Sequence, residues 1–390
     1  MPCADENLCL AVGKDRENIL DYFDFNSLQY ATAATRLNAD VGGNGLVHLI
    51  DFKRGKHRAC AVLKSAAKAR ADNLMYEYLV GLYVNKLAAK YLCFIETYGI
   101  YRYTHNKAYL RDIQRRTHLH LGDFVTPMPT IDFREACRRP TDTCILIQCL
   151  KNTKSVYDRM KSPTFVRNHL VSVLYQVYFA LAAVAESFTH YDLHLDNILV
   201  VELADPVEIQ YGVTFKTRTL AKVIDYGRCF FNDSTGGEFN SSPKIRESIC
   251  ENCKSCGRDA GFTWLEDDGN EFHVLSTRVN RSHDLYALRK LKDQFAAEVA
   301  EHNPALHALL ETLHYENKTG TPEYMAHDGR INCVHDASKA LERLMKMDRS
   351  SSRSSSVKPR SSRKSSSRKL SSHRSIRQKS SQTSFQSLKS

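Results

Sequence analysis

The chain has 390 residues, 42% of them hydrophobic, which is enough for two domains or for one two-lobed domain with a buried core. Its net charge of +11 is not spread evenly: residues 349–390 hold 12 Lys or Arg and no acid, leaving 43 basic residues against 44 acidic ones elsewhere. The body is therefore near neutral, which excludes a generally basic surface and confines any acidic or nucleic-acid partner to the tail. The 12 cysteines are scattered, and Asp5 and Glu6 stand where a signal peptide carries basic and then apolar residues. The expectation is an intracellular protein with free thiols, in the cytoplasm or nucleus.

Residues 15–28 have the spacing of an amphipathic helix. Residues 1–35 carry no functional signature and read as a flanking segment. Around residues 41–50, apolar positions flank Gly42, Gly43 and Gly45, which predicts strand, turn and strand. Glycines there let backbone amides approach phosphate oxygens. A turn at Arg54-Gly55-Lys56-His57 leads into a strand-like run that closes on Lys64. Leu74, Tyr78, Leu82 and Leu87 mark a helix over 73–87, and Glu77 rides on it. Residues 92–103 read as strand, turn and strand. Residues 105–140 are polar and irregular, and 144–150 form a short apolar strand before Lys151-Asn152.

The longest apolar run, residues 170–185, belongs to a helix predicted over 165–187. It is interrupted by Ser172 and Gln176 and is too short to span a membrane. That helix delivers the chain into Thr189-His190-Tyr191-Asp192-Leu193-His194-Leu195-Asp196-Asn197, a tight loop before a strand. A second apolar run ends in Val223-Ile224-Asp225-Tyr226-Gly227-Arg228, and the polar stretch between predicts an extended hairpin loop at about 206–217. Two acids and an amide, each beside a strand, are the parts of a phosphoryl-transfer site. One acid orients the attacking hydroxyl, while the amide oxygen and the second acid hold magnesium on the nucleotide phosphates.

After Gly227 the chain is polar to about residue 280. It contains Cys250, Cys253 and Cys256 at a spacing suited to zinc, with Cys229, His273 or His283 as a fourth ligand. The alternative is free thiols in a loop. Ser282 is placed to cap a helix that has Asp284 in its first turn, and the chain then reads helical to Met347 with a break near 319–322. The tail holds 19 serines interleaved with Arg and Lys and cannot bury enough apolar surface to fold. Its cations suit nucleic-acid phosphates and its serines suit phosphorylation.

The spacing His190-x-Asp192-x-x-x-x-Asn197 followed by Asp225-x-Gly227 resembles the catalytic core of the protein-kinase-like superfamily. The runs from Glu77 to Asn85, from His190 to His194 and from Ile224 to Arg228 look like the serine/threonine protein kinases encoded by large DNA viruses. The resemblance implies an α+β, bilobal fold: a flanking segment 1–35, a β-rich N-lobe 36–150, a helical C-lobe 151–347 and a disordered tail 348–390. It implies transfer from ATP, with Mg2+, to serine or threonine of protein substrates. The host cytoplasm or a virion would be the compartment.

By the same resemblance Gly43 and Gly45 would cover the phosphates. Lys64, paired with Glu77 (or with Glu96 as fallback), would hold them. Backbone near Gln148, Cys149 and Leu150 would bond the adenine edge, Asp192 would orient the hydroxyl, and Asn197 and Asp225 would bind magnesium. Asp284 would brace the catalytic loop. His48 stands where a third glycine belongs. Tyr191 replaces an arginine, so transfer is expected not to depend on phosphorylation of the segment after Gly227. His194 replaces a lysine near the γ-phosphate, and Tyr226 replaces phenylalanine, read as a mild change. The Asp-Leu-His-x-x-Asn form also resembles aminoglycoside and choline phosphotransferases. A non-catalytic scaffold acting through the basic tail is the remaining alternative.

Overall fold

Residues 14–23 present Ile19 and Phe23 on one face, and both are buried in helix α1 (Lys14–Phe23). The structure is a computed structural model describing residues 14–37, 45–66, 73–104, 115–117, 121–139, 141–150, 153–248, 263–265, 271–273, 278–315 and 328–354. Gly43, the three cysteines at 250, 253 and 256, residues 319–322 and the tail beyond 354 lie outside these. Residues through Arg349 form one compact unit, and Ser350 onward falls in a second, of which the end of the last helix is described.

Seven strands pair antiparallel among the described residues: β1 (Ala31–Arg36), β2 (Leu46–Arg54), β3 (His57–Ser65), β4 (Thr97–Tyr103), β5 (Arg115–Thr117), β6 (Val125–Pro127) and β7 (Thr143–Gln148), in the order β5-β1-β2-β3-β7-β4-β6. Three findings correct the sequence reading. The segment before residue 36 is not merely flanking, because β1 belongs to the sheet and α1 to its core. Residues 92–103 contain one strand, not two. The polar stretch 105–140 supplies both edge strands, β5 on β1 and β6 on β4, and helix α3 (Phe133–Arg138). Short polar edge strands lack the alternation that marks a strand with one buried face.

Period-two alternation decides which side chains meet which core. Ala59, Ala61 and Leu63 of β3 and Cys144 and Leu146 of β7 join α1 in one cluster. Lys64 and Ile145 stand opposite each other in register, on the other face. Helix α2 (Leu74–Ala88) lies there, its first turn capped by Asn73, whose Oδ1 accepts from the N–H groups of Met75 and Tyr76. Asn85 fixes α2 against β4 by donating to Thr97 O (2.6 Å) and accepting from Thr97 N (2.8 Å). A Cβ on Gly81 would lie 2.2 Å from Thr97 Oγ1, so the close approach of helix to strand needs glycine.

The larger core continues into the helical part of the chain. The helix expected over 165–187 is broken at His169 (φ −126°) into α5 (Pro163–Asn168) and α6 (Leu170–Ala183), after a short α4 (Val156–Arg159). Strand β8 (Lys154–Ser155) pairs with β10 (Ile198–Gln210), which pairs with β11 (Thr214–Val223), while β9 (Phe188–Thr189) pairs with β12 (Phe230–Phe231). Asp205-Pro206 does not open a long loop. The hairpin turns at residues 211–213, and a register shift between Glu202 and Val207 absorbs the proline as a bulge. Helices α7 (Ser242–Ser248), α8 (Tyr286–His302), α9 (Pro304–Glu311) and α10 (Val334–Ser354) follow in the chain. No helix among the described residues is long and apolar enough to cross a membrane.

Candidate functional site

The β10/β11 hairpin brings the chemistry together. Ile198 pairs with Val223 where β10 begins and β11 ends, so Asn197 and Ile224 meet one step beyond, with Ile224 N–H donating to Asn197 O at 3.0 Å. Residues far apart in sequence, Asn197 and Asp225, thus flank one open sheet end. Asn197 Nδ2 donates to Asp192 O (2.9 Å) and orients the amide, leaving Oδ1 as an oxygen donor.

Asp192 is set by a ring of backbone bonds. Nδ1 of His190 accepts the Asp192 N–H (3.3 Å), which makes Nε2 the protonated nitrogen that donates to Ile224 O (3.0 Å). Burial holds His190 neutral, its pKa pushed down to about 4. One imidazole therefore links the Asp192 loop to the residue before Asp225. Tyr191 and Asp225 both take positive φ (63° and 69°), a conformation costly for non-glycine residues. The Asp284 carboxylate braces that bend, accepting from His190 N (2.8 Å) and Tyr191 N (2.9 Å). Tyr191 itself is buried against Phe230 and Tyr286, and its hydroxyl donates to Arg278 O.

Strand β3 and helix α2 add the cation. Lys64 Nζ donates to Glu77 at 3.0 and 2.8 Å and to Asp225 Oδ1 at 2.9 Å. Burial works against its charge, but the Asp225 and Glu77 carboxylates outweigh it and raise the Lys64 pKa. Burial likewise opposes the charge of Asp225, and Lys64 overrides it, lowering the Asp225 pKa. Glu96 is not the partner of Lys64. It is buried and acts on Lys222, whose Nζ donates to Phe94 O and Gln148 Oε1.

Lys64, Glu77 and Asp225 line a cavity of about 610 Å³ whose other walls are mostly apolar, among them Leu37, Val47, Val62, Ile147, Leu150 and Leu199. Gly45 lines it with φ 146°, and a Cβ there would lie 2.1 Å from Ser65 O. His48, in place of a third glycine, is buried in β2. Of the three residues expected to bond a base, Gln148 has its N–H already donated to Glu96 O (2.8 Å).

Two sequence expectations need correction. Ser282 makes no side-chain cap bond. Asn280 caps instead, accepting from Ser282 N and His283 N. Tyr226 is more than a mild change, because its hydroxyl accepts from Ile95 N (2.9 Å) and sits 2.9 Å from Val223 O and 3.2 Å from Ile95 O. Tyr226→Phe removes the shorter of two acceptors of the Ile95 N–H, which keeps Val223 O at 3.3 Å, and is expected to cost about 1 kcal/mol, read as a lower denaturant midpoint at unchanged slope. Among the described residues no cluster of His, Cys, Asp or Glu holds a metal on its own. Cys229 is buried, with its thiol pushed well up by desolvation.

No family model matches this chain, and no curated protein does. One solved structure it is similar to is a kinase domain. That crystal structure, of the PF14_0431 kinase domain, is 13% identical, with 56% of each chain covered and a TM-score of 0.28, so the match spans little more than half of either.

Proposed function

We propose that this chain transfers the γ-phosphoryl group of ATP, with magnesium, to serine or threonine hydroxyls of proteins. One observation carries the reading: Lys64, Glu77 and Asp225 meet at the wall of a largely apolar cavity, and the β10/β11 hairpin sets Asn197, which holds the Asp192 carbonyl, one residue from Asp225. The sheet with α2 is read as a small lobe and the helical part as a large one, with the cavity between them.

The base lies among the apolar walls and the phosphates point to Lys64. Asn197 Oδ1 and the Asp225 carboxylate are hard oxygen donors, which fits magnesium shared with phosphate oxygens and water. When bound, the ion neutralises charge on the phosphates. Glu77 holds Lys64 in place to do the same. Asp192 accepts or orients the acceptor's proton. Catalysis is then positioning and charge neutralisation.

The test is transfer of label from γ-labelled ATP by the full chain, with magnesium or with a chelator. The acceptors are a basic protein, a serine-rich peptide, an aminoglycoside and the chain's own tail. Magnesium-dependent label on serine or threonine of a protein is the expected result. Label only on the aminoglycoside moves the substrate to small molecules. No label on any acceptor overturns the reading and leaves the scaffold alternative.

A further inference from the structure

The polar end of the cavity is short of positive charge. Asp225 lines it, Asp192 is tied through its carbonyl to Asn197 beside it, and a nucleotide brings more negative charge. Lys64 is already shared between Glu77 and Asp225. His194 is not a fixed cation. Its Nδ1 accepts the Asp196 N–H (3.3 Å), and burial lowers its pKa, outweighing the Asp196 carboxylate 3.9 Å away. Lys290 also faces His194, but its ammonium lies over the Tyr286 ring, 5.2 Å from the centroid.

Arg228 fills the gap. Its Nε lies 3.7 Å from Asp192 Oδ2, and its charge acts on Asp225 and His194. Its side chain is 19% exposed, with Nε and Nη1 buried beside the Asp192 carboxylate. The backbone on either side is tied down: Tyr226 by its hydroxyl, and Cys229 by a carbonyl that accepts from Tyr76 of α2. A guanidinium stays charged at every working pH, so it sets a fixed positive charge beside the Asp192 carboxylate whatever the pH.

We propose that Arg228 is a catalytic residue that binds the phosphoryl group in flight and neutralises its charge, next to the carboxylate that receives the acceptor's proton. This rests on the phosphoryl-transfer reading above. In the step, the acceptor oxygen forms a bond to the γ-phosphorus, and the bond from that phosphorus to the bridging oxygen breaks. ADP leaves with the electron pair, and the acceptor's proton passes to Asp192. Arg228 gains and loses nothing. It holds the equatorial oxygens while charge spreads over them.

The test uses the full chain, ATP, magnesium and whichever acceptor the wild type labels. Arg228→Ala is expected to lower turnover by about 10²–10³-fold, the loss that follows removal of one preorganised donor. The KM for ATP and the thermal stabilisation by ATP with magnesium should stay within about threefold and about 1 °C of wild type, because the effect belongs to the transition state. His194→Lys added to Arg228→Ala is expected to recover at least about tenfold, since it returns a cation to the same site. Arg228→Lys should retain more activity than Arg228→Ala. Turnover of Arg228→Ala near wild type overturns the proposal. So does a loss that comes with lost ATP stabilisation and is not recovered by the lysine, which would mark a structural role. A wild type that labels nothing overturns the transfer reading itself, and this proposal with it.

Discussion

Asp192→Asn is expected to lower phosphoryl transfer by about 10²–10⁴-fold while leaving the fold and nucleotide binding intact. The substitution is close to isosteric. The anchors of this residue are backbone groups: its N–H to His190 Nδ1, and its C=O from Asn197 Nδ2. Asparagine keeps both. It loses the ability to take a proton, and the ion pair with Arg228 at 3.7 Å. That pair is partly exposed and contributes about 1 kcal/mol at most, so a stability change much larger than this would mean the carboxylate has a structural duty. Steady-state kinetics beside ATP-induced thermal stabilisation separate the two. Retained turnover would remove Asp192 from the mechanism and point to a proton taken directly by phosphate or water.

Much of the site's outline is legible in the sequence because it sits on strong local signals. The turn at Gly55 and the apolar run after it locate the strand of Lys64, and helical spacing with Asn73 at its head locates Glu77. What is not legible is tertiary. Nothing near Arg228 distinguishes it from a solvated arginine, and only the folded loop brings it to Asp192. The tyrosine hydroxyl of residue 226 and the lysine at 222 find their partners across more than 70 residues of sequence, in Ile95, Phe94 and Gln148. The edge strands were hidden because they are short and polar and obtain their stability from β1 and β4, not from their own pattern. Asn280 was missed as a cap because it lies two residues before the expected position, and its side chain reaches forward to two N–H groups.

The largest expected effect on stability is at Asp284. Asp284→Ala removes the acceptor of two buried N–H groups in a bend where Tyr191 has φ 63°. At about 1–3 kcal/mol for each orphaned donor, the loss is about 2–6 kcal/mol, and transfer should fall with it because the same bend aims Asp192. The effect also depends on pH. Burial pushes the Asp284 carboxyl up to about 7, against the pull of the two N–H donors, while in the unfolded chain it returns to about 3.9. A raised carboxyl means the folded chain holds its proton more tightly than the unfolded one. The corresponding stability is fully present below about pH 4 and is lost as pH rises through about 7, roughly 4 kcal/mol in all. Asp284→Asn cannot titrate, so denaturant melts of the two proteins from pH 4 to pH 8 should converge as pH rises, the wild type losing stability relative to the variant. Parallel curves would mean that the carboxylate stays ionised throughout, with the two N–H groups holding the charge in spite of its burial.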